Sequence, residues 1–267
     1  MAGIKTVLIT GGSSGIGYAV SEYFARSGYQ LIWASWSQEE LNQARAQLLA
    51  DFPDVQLQIK AIDLSLEKAP EELFEWTQEN QWKVDVLINN AGFGTYGFLQ
   101  ETDMEKEVSM INLHILCTYK LTRLFLDKML QRNEGTIINI SSNSSFQPIP
   151  KLNTYASTKA FVRHFTRGLN EELKIAGSKV KALCVCPAAV SDTPFRKSGK
   201  LDKIQTYDGL VTTTVAEVAG DIWKGFQKKE PLILTGRKFR FLYLFYWLFP
   251  FGFTQMLIRR EIKMISE

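Results

Sequence analysis

Five short apolar runs separated by helix-length segments constrain the fold of this chain more than any other feature of its sequence. Thr6 to Thr10, Leu31 to Ala34, Val84 to Ile88, Thr136 to Ile140 and Val180 to Val185 are continuous, not alternating. Strands covered on both faces read that way. Several intervening segments open with helix-capping chemistry of the S/T-x-x-E kind: Ser37 with Glu40, Thr102 with Glu105, and Thr214 with Glu217. Strand and helix therefore alternate, which implies right-handed crossovers and an α/β fold with a doubly wound parallel sheet flanked by helices. In such a sheet ligands bind beyond the carboxyl ends of the strands, so motifs at strand ends carry most information.

The 267 residues suffice for one large domain, and 45% hydrophobic with 22% charged residues matches an ordinary globular chain. Residues 1–235 read as a single domain in which 194–209 is polar, lysine-bearing and turn-rich, and residues 236–267 as an aromatic, basic helical extension. The 31 basic and 28 acidic residues are intermixed and the net charge is +3, so nothing calls for nucleic acid as a partner. Cys117, Cys184 and Cys186 are too few for a disulfide framework and lack metal-ligand spacing with His114 or His164. The expectation is a cytoplasmic protein without a metal. From Met1 the chain reaches Val7-Leu8-Ile9 without the apolar core and cleavage site of a secretory signal, so the mature protein is read as beginning here.

Thr10-Gly11-Gly12-Ser13-Ser14-Gly15-Ile16-Gly17 joins the first strand to a helix. Glycine removes the Cβ that blocks close contact, and helix amides attract anionic oxygen, so this turn suits a pyrophosphate, although a Gly/Ser turn can also form without a ligand. A second strand that grips a ribose 2′-hydroxyl ends in Asp or Glu; here it ends in Ser35-Trp36-Ser37. The missing carboxylate favours NADP(H) over NAD(H), while the Arg that suits a 2′-phosphate is missing too. The serine hydroxyls could bond a phosphate and Trp36 could lie on adenine, or the tryptophan could simply pack.

Tyr155 and Lys159 share a helix face at i and i+4. A phenol titrates near ~10, and a cation nearby favours phenolate and lowers that value toward useful acid/base chemistry. With this pair the chain resembles the short-chain dehydrogenase/reductase family. Five markers occur in order: the T-G-x-x-x-G-I-G turn, Asn89-Asn90-Ala91-Gly92, Asn112, a serine after the fifth strand, and Tyr155 with Lys159, spanning residues 6–193.

The resemblance implies a Rossmann-like fold and hydride transfer between a nicotinamide cofactor and a carbonyl or secondary alcohol. It makes Tyr155 the acid in reduction and the base in oxidation, and Lys159 the holder of the nicotinamide ribose. Ser142 would bond the substrate oxygen; Ser141, Ser144 and Ser145 are alternatives that the family's spacing to tyrosine disfavours. Asn112 would anchor a water leading from Lys159 to solvent. Cofactor contacts are implied at Thr10, Gly11, Ser13, Ser14, Gly15, Ile16, Gly17, Ser35, Trp36, Asp63, Leu64, Asn90, Ala91, Gly92, Pro187, Val190 and Thr193. Asp63 would cap the adenine amine, or only cap a helix. Ala188 stands where the family commonly has glycine, which would strain a turn needing positive φ. The resemblance also implies a substrate lid around 194–209, the alternative being a merely mobile surface loop.

Residues 239–251 carry eight aromatic side chains, with Arg237, Lys238, Arg240, Arg259 and Arg260 on the flanks. Such a segment suits a membrane interface through 239–260, or packing against the core or a second subunit. Should it border the site, the substrate is a bulky, apolar, lipid-like ketone. The leading expectation is thus an NADP-dependent reductase forming a homodimer or homotetramer. The alternatives are a catalytically silent nucleotide sensor and a membrane-attached scaffold.

Overall fold

A computed structural model describes residues 4–193, 195, 212–246, 252, 255 and 256. The lid expected at 194–209 thus lies, apart from Phe195, outside the described residues, as do 247–251 of the aromatic segment. Seven parallel strands form one sheet: β1 (Thr6–Thr10), β2 (Gln30–Ser35), β3 (Leu57–Ala61), β4 (Val84–Asn89), β5 (Thr136–Ile140), β6 (Lys181–Cys186) and β9 (Leu232–Leu234), while β7 (Ala189–Val190) and β8 (Thr212–Thr213) pair apart from it. Their order is β3-β2-β1-β4-β5-β6-β9, so the chain reverses direction across the sheet between β1 and β4. That reversal opens the crevice in which doubly wound folds hold ligands.

Successive strand residues point to opposite faces, which sorts each apolar run into two cores. Val7, Ile9, Leu31 and Trp33 join α1 (Gly15–Arg26), α2 (Gln38–Asp51) and α7 (Val215–Lys228) on one side. Leu8, Ile32, Leu87 and Ile137 join α3 (Ala69–Glu79), α5 (Thr118–Gln131) and α6 (Asn153–Ile175) on the other. Two strands fall outside the five apolar runs. β3 is a half-exposed edge with Lys60 in it, and β9 has only three residues, so neither shows a long buried run.

The caps came out unevenly. Ser37 accepts from the Glu40 amide, and Thr214 with Glu217 forms a reciprocal capping box, as their spacing predicts. The expected Thr102 cap is corrected by one residue: α4 (Met104–Ile111) is capped by Asp103, whose Oδ1 accepts from Glu105 and Lys106 amides. A carboxylate satisfies two orphan donors there and suits the helix dipole, leaving Thr102 to donate to the Leu99 carbonyl. Between α4 and α5 the chain runs as a π-helix, Asn112–Cys117, a wider turn found mostly at functional sites. A further helix, α8 (Arg237–Tyr246), follows β9. Asp221 ties it down, accepting from the Gly236 amide and pairing with Arg240 at 2.7 Å.

Candidate active site

One cavity of about 900 Å³ opens at the carboxyl ends of the strands. At its β1 end the wall is mostly backbone. Gly11 at φ +67 and Gly15 at φ +53 adopt a conformation that favours glycine, and this bends the chain into α1. A Cβ on Gly17 would come within 2.2 Å of the Gly11 carbonyl, so the helix can start this close to the loop only with glycine there. Asn90 locks the turn from β4, donating to the Thr10 and Gly11 carbonyls at 2.9 and 3.1 Å. Thr10 Oγ1 accepts from the Asn90 and Ala91 amides. The Ser14 side chain makes no cap bond to α1, which leaves the first amides of that helix available to an anion.

Ser13, Ser14, Gly15, Ile16, Ser35, Trp36, Asp63 and Leu64 border this end of the cavity, with Gly11, Asn90, Ala91 and Gly92. Thr10, Gly17 and Asn112 do not: the first two shape the turn from behind, and Asn112 opens the π-helix. Ser13 and Ser35 hydroxyls lie 3.2 Å apart, and Trp36 is 71% exposed, so it is not a packing residue. Glu40 also borders this end, a carboxylate that its sequence position marks only as the capping partner of Ser37. Asp63 Oδ1 accepts from the amide and hydroxyl of Ser65, closing a turn; α3 begins at Ala69, so the alternative of capping that helix does not hold. A backbone cradle, uncapped amides and hydroxyls suit a dinucleotide.

Farther along lie Ser142, Tyr155 and Lys159, with Pro187, Val190 and Thr193 on the facing wall. Lys159 Nζ donates to the Ile140 carbonyl at 3.0 Å and sits 5.8 Å from the Tyr155 ring centroid. Burial lowers Lys159 to about 8. Burial pushes the Tyr155 phenol up to about 12, and a hydrogen bond with Ser142 acts against it. The expectation that Lys159 lowers the phenol is therefore corrected: removal from water outweighs any attraction. Ser142 caps a short 3₁₀ turn, Asn143–Phe146, its oxygen accepting from the Ser144 amide. Ser141 donates to the Lys159 carbonyl, and Ser145 donates to the Ser142 carbonyl. Ala188 is not among the residues with positive φ, so its Cβ causes no strain.

The far wall is aromatic. Phe239 and Tyr243 of α8 border the cavity and pack on Phe146 with centroids 6.1 and 5.0 Å away, while Phe195 lies 5.5 Å from Tyr155. Gln255 donates to the Pro148 carbonyl, so chain beyond α8 also returns to this wall. Among the described residues no helix is long and apolar enough to cross a membrane.

Sequence reasoning missed His114, considering it only as a metal ligand. It is buried, with its ring edge-on to Tyr155 at 5.8 Å. The available signal was the helical stripe Met110, His114, Cys117, Leu121, in which it stands among core residues.

Comparisons with known proteins agree with this architecture. The short chain dehydrogenase family matches residues 5–203. The very-long-chain 3-oxoacyl-CoA reductase of Mus musculus is 35% identical over 203 residues, covering 74% of this chain and 61% of that protein. The chain thus spans about three fifths of the length of the first curated relatives it matches. A short-chain dehydrogenase from Sphingobium yanoikuyae, solved with NADPH, superposes with a TM-score of 0.78 at 28% identity, covering 86% of this chain and 87% of that one. The bulky-bulky ketone specific alcohol dehydrogenase of Comamonas testosteroni gives 0.73 at 28% identity, covering 86% of each. Glycine turn, strand order and tyrosine-lysine helix converge with these matches on one conclusion: the chain belongs to the short-chain dehydrogenase/reductase family of nicotinamide-dependent oxidoreductases.

Proposed function

We propose that the protein reduces a bulky, apolar ketone with NADP(H), Tyr155 giving the proton. The observation that carries this reading is the aromatic wall formed by Phe146, Phe239 and Tyr243 on the cavity that Tyr155 and Ser142 border. When bound, the nicotinamide supplies the hydride. The protein's own groups do the rest. A phenol held at about 12 keeps its proton at neutral pH, as an acid for reduction must. Ser142 bonds the same substrate oxygen and steadies charge developing on it. Lys159 and the glycine turn hold the ribose and phosphates, with Asn112 leading protons from solvent toward Lys159.

NADP(H) over NAD(H) is supported by Ser35, with the Ser13 hydroxyl beside it, where a ribose-binding carboxylate would stand, and by NADPH in the Sphingobium relative. Glu40 weighs the other way, so the expected preference is about tenfold. The ketone class fits the resemblance to the very-long-chain 3-oxoacyl-CoA reductase of Mus musculus and to the bulky-bulky ketone specific alcohol dehydrogenase of Comamonas testosteroni. Exposed Met104, Val108, Leu116, Tyr119 and Phe161 on α4 to α6 support a homo-oligomer. Residues 1–235 would form the catalytic unit, with Phe239 and Tyr243 of the 236–267 extension supplying part of the substrate wall. Phe241, 61% exposed beside Lys238, favours a second role for 239–260 at a membrane surface, which vesicle co-sedimentation of the full chain tests.

Steady-state rates with NADPH and NADH on ketones graded from acetone to cyclohexyl phenyl ketone test the function. The expected kcat/KM rises with ketone size and is higher with NADPH. Faster turnover of small polar ketones or sugars would overturn the substrate class, and a preference for NADH the cofactor assignment.

A further inference from the structure

Against Tyr155 lies an imidazole that the proton transfer does not use. His114 is 1% exposed, and both of its ring nitrogens are engaged. The Phe93 amide donates to Nε2 at 3.3 Å, so Nε2 carries no proton and the ring hydrogen sits on Nδ1. Nδ1 then donates to Thr158 Oγ1 at 2.9 Å, and the Thr158 hydroxyl donates to the Tyr155 carbonyl at 2.8 Å. Three hydrogen bonds in series thus run from the Gly92–Phe93 loop to the turn of α6 that holds Tyr155 and Lys159.

The packing is equally close. A Cβ on Gly92 would come within 2.7 Å of His114 Nε2 and 3.5 Å of Lys159 Nζ, so loop, ring and ammonium form one cluster. Burial and then the Lys159 charge hold His114 well below its ordinary value, which keeps Nε2 free to accept. A phenylalanine could fill this space but could not make either bond.

We propose that His114 is a positioning residue for Tyr155, clamping the Gly92–Phe93 loop to the helical turn that sets the depth of the phenol in the cavity. The proposal rests on the reading of Tyr155 as proton donor. Small displacements of a reacting group cost large factors in rate, whereas binding of an apolar ketone to the aromatic wall is indifferent to them. Loss of the clamp therefore falls on kcat.

Three variants of the full chain test it: His114→Phe keeps a ring and loses both bonds, His114→Gln can offer a carbonyl to Phe93, and His114→Asn can reach only toward Thr158. Three quantities are measured: kcat and KM for cyclohexyl phenyl ketone with NADPH, and amide hydrogen exchange at Phe93. In His114→Phe the expected kcat falls about tenfold with KM unchanged within about twofold, and Phe93 exchanges faster. His114→Gln restores part of both; His114→Asn restores neither fully. A His114→Phe enzyme with wild-type kcat, or with Phe93 still protected, would overturn the proposal. Should His114→Phe not fold, equal wild-type kcat in the Gln and Asn variants does the same. A wild type inactive on every ketone overturns the proposed function alone; the clamp is then judged by Phe93 exchange, and unchanged protection in His114→Phe overturns it.

Discussion

Where the cavity meets β1 and β4 its shape is held by backbone and buried charge, whereas where it meets α8 it is held by apolar rings. In the first region Gly11, Gly17, Asn90 and Lys159 each hold a position that one alternative atom would disturb. In the second, Phe146, Phe239 and Tyr243 present a surface that many side chains of similar volume could supply. The difference teaches where chemistry and selectivity reside: the backbone region treats every substrate alike, and the aromatic region discriminates among them.

The comparison breaks most easily at Gly17. An added methyl 2.2 Å from the Gly11 carbonyl must displace the loop, so Gly17→Ala should weaken NADPH binding about 100-fold by calorimetric titration. Unchanged affinity would mean the turn does not hold the cofactor.

Next in size is Lys159, lowered by burial from 10.5 to about 8. At pH 7 the folded protein carries this charge at a cost of about 3 kcal/mol, partly offset by the bond to Ile140. Lys159→Met should therefore stabilise the cofactor-free protein by about 2 kcal/mol at pH 7 while losing activity. The sign follows from the folded state losing its proton first. As pH rises from about 8 to 10.5 the cost to the wild type disappears, and so does the mutant's advantage in Tm. A destabilised mutant at pH 7 would contradict the account.

The smallest effect belongs to the aromatic wall. Replacing Phe239 and Tyr243 together by alanine should raise KM for cyclohexyl phenyl ketone about tenfold and leave acetone reduction unchanged. Equal losses on both ketones would erase the distinction between the two regions.

The sequence revealed these regions unequally, for the same physical reason. Continuous runs such as Val7-Leu8-Ile9 announce a strand covered on both faces, and the order of glycine turn, Asn89-Asn90-Ala91-Gly92 and Tyr155-Lys159 is read directly because backbone geometry tolerates few alternatives. β3 and β9 escape such reading because an edge and a three-residue strand need no long apolar pattern. The rise of the Tyr155 phenol was hidden because burial is a tertiary property, and spacing shows only that Lys159 is near. His114 was hidden because a buried histidine on a helical stripe reads as core until its partners from Phe93 and Thr158 arrive. That α8 would turn two aromatic residues onto the cavity depends on Asp221 holding Gly236 and Arg240, contacts no local pattern shows.

The central claim is that Tyr155 donates the proton to a ketone seated against the aromatic wall. Reduction of cyclohexyl phenyl ketone with NADPH, compared between wild type and Tyr155→Phe, tests it most directly. The account predicts a fall in kcat of about 1000-fold or more with NADPH affinity kept within about twofold. A Tyr155→Phe enzyme that keeps its turnover would contradict it.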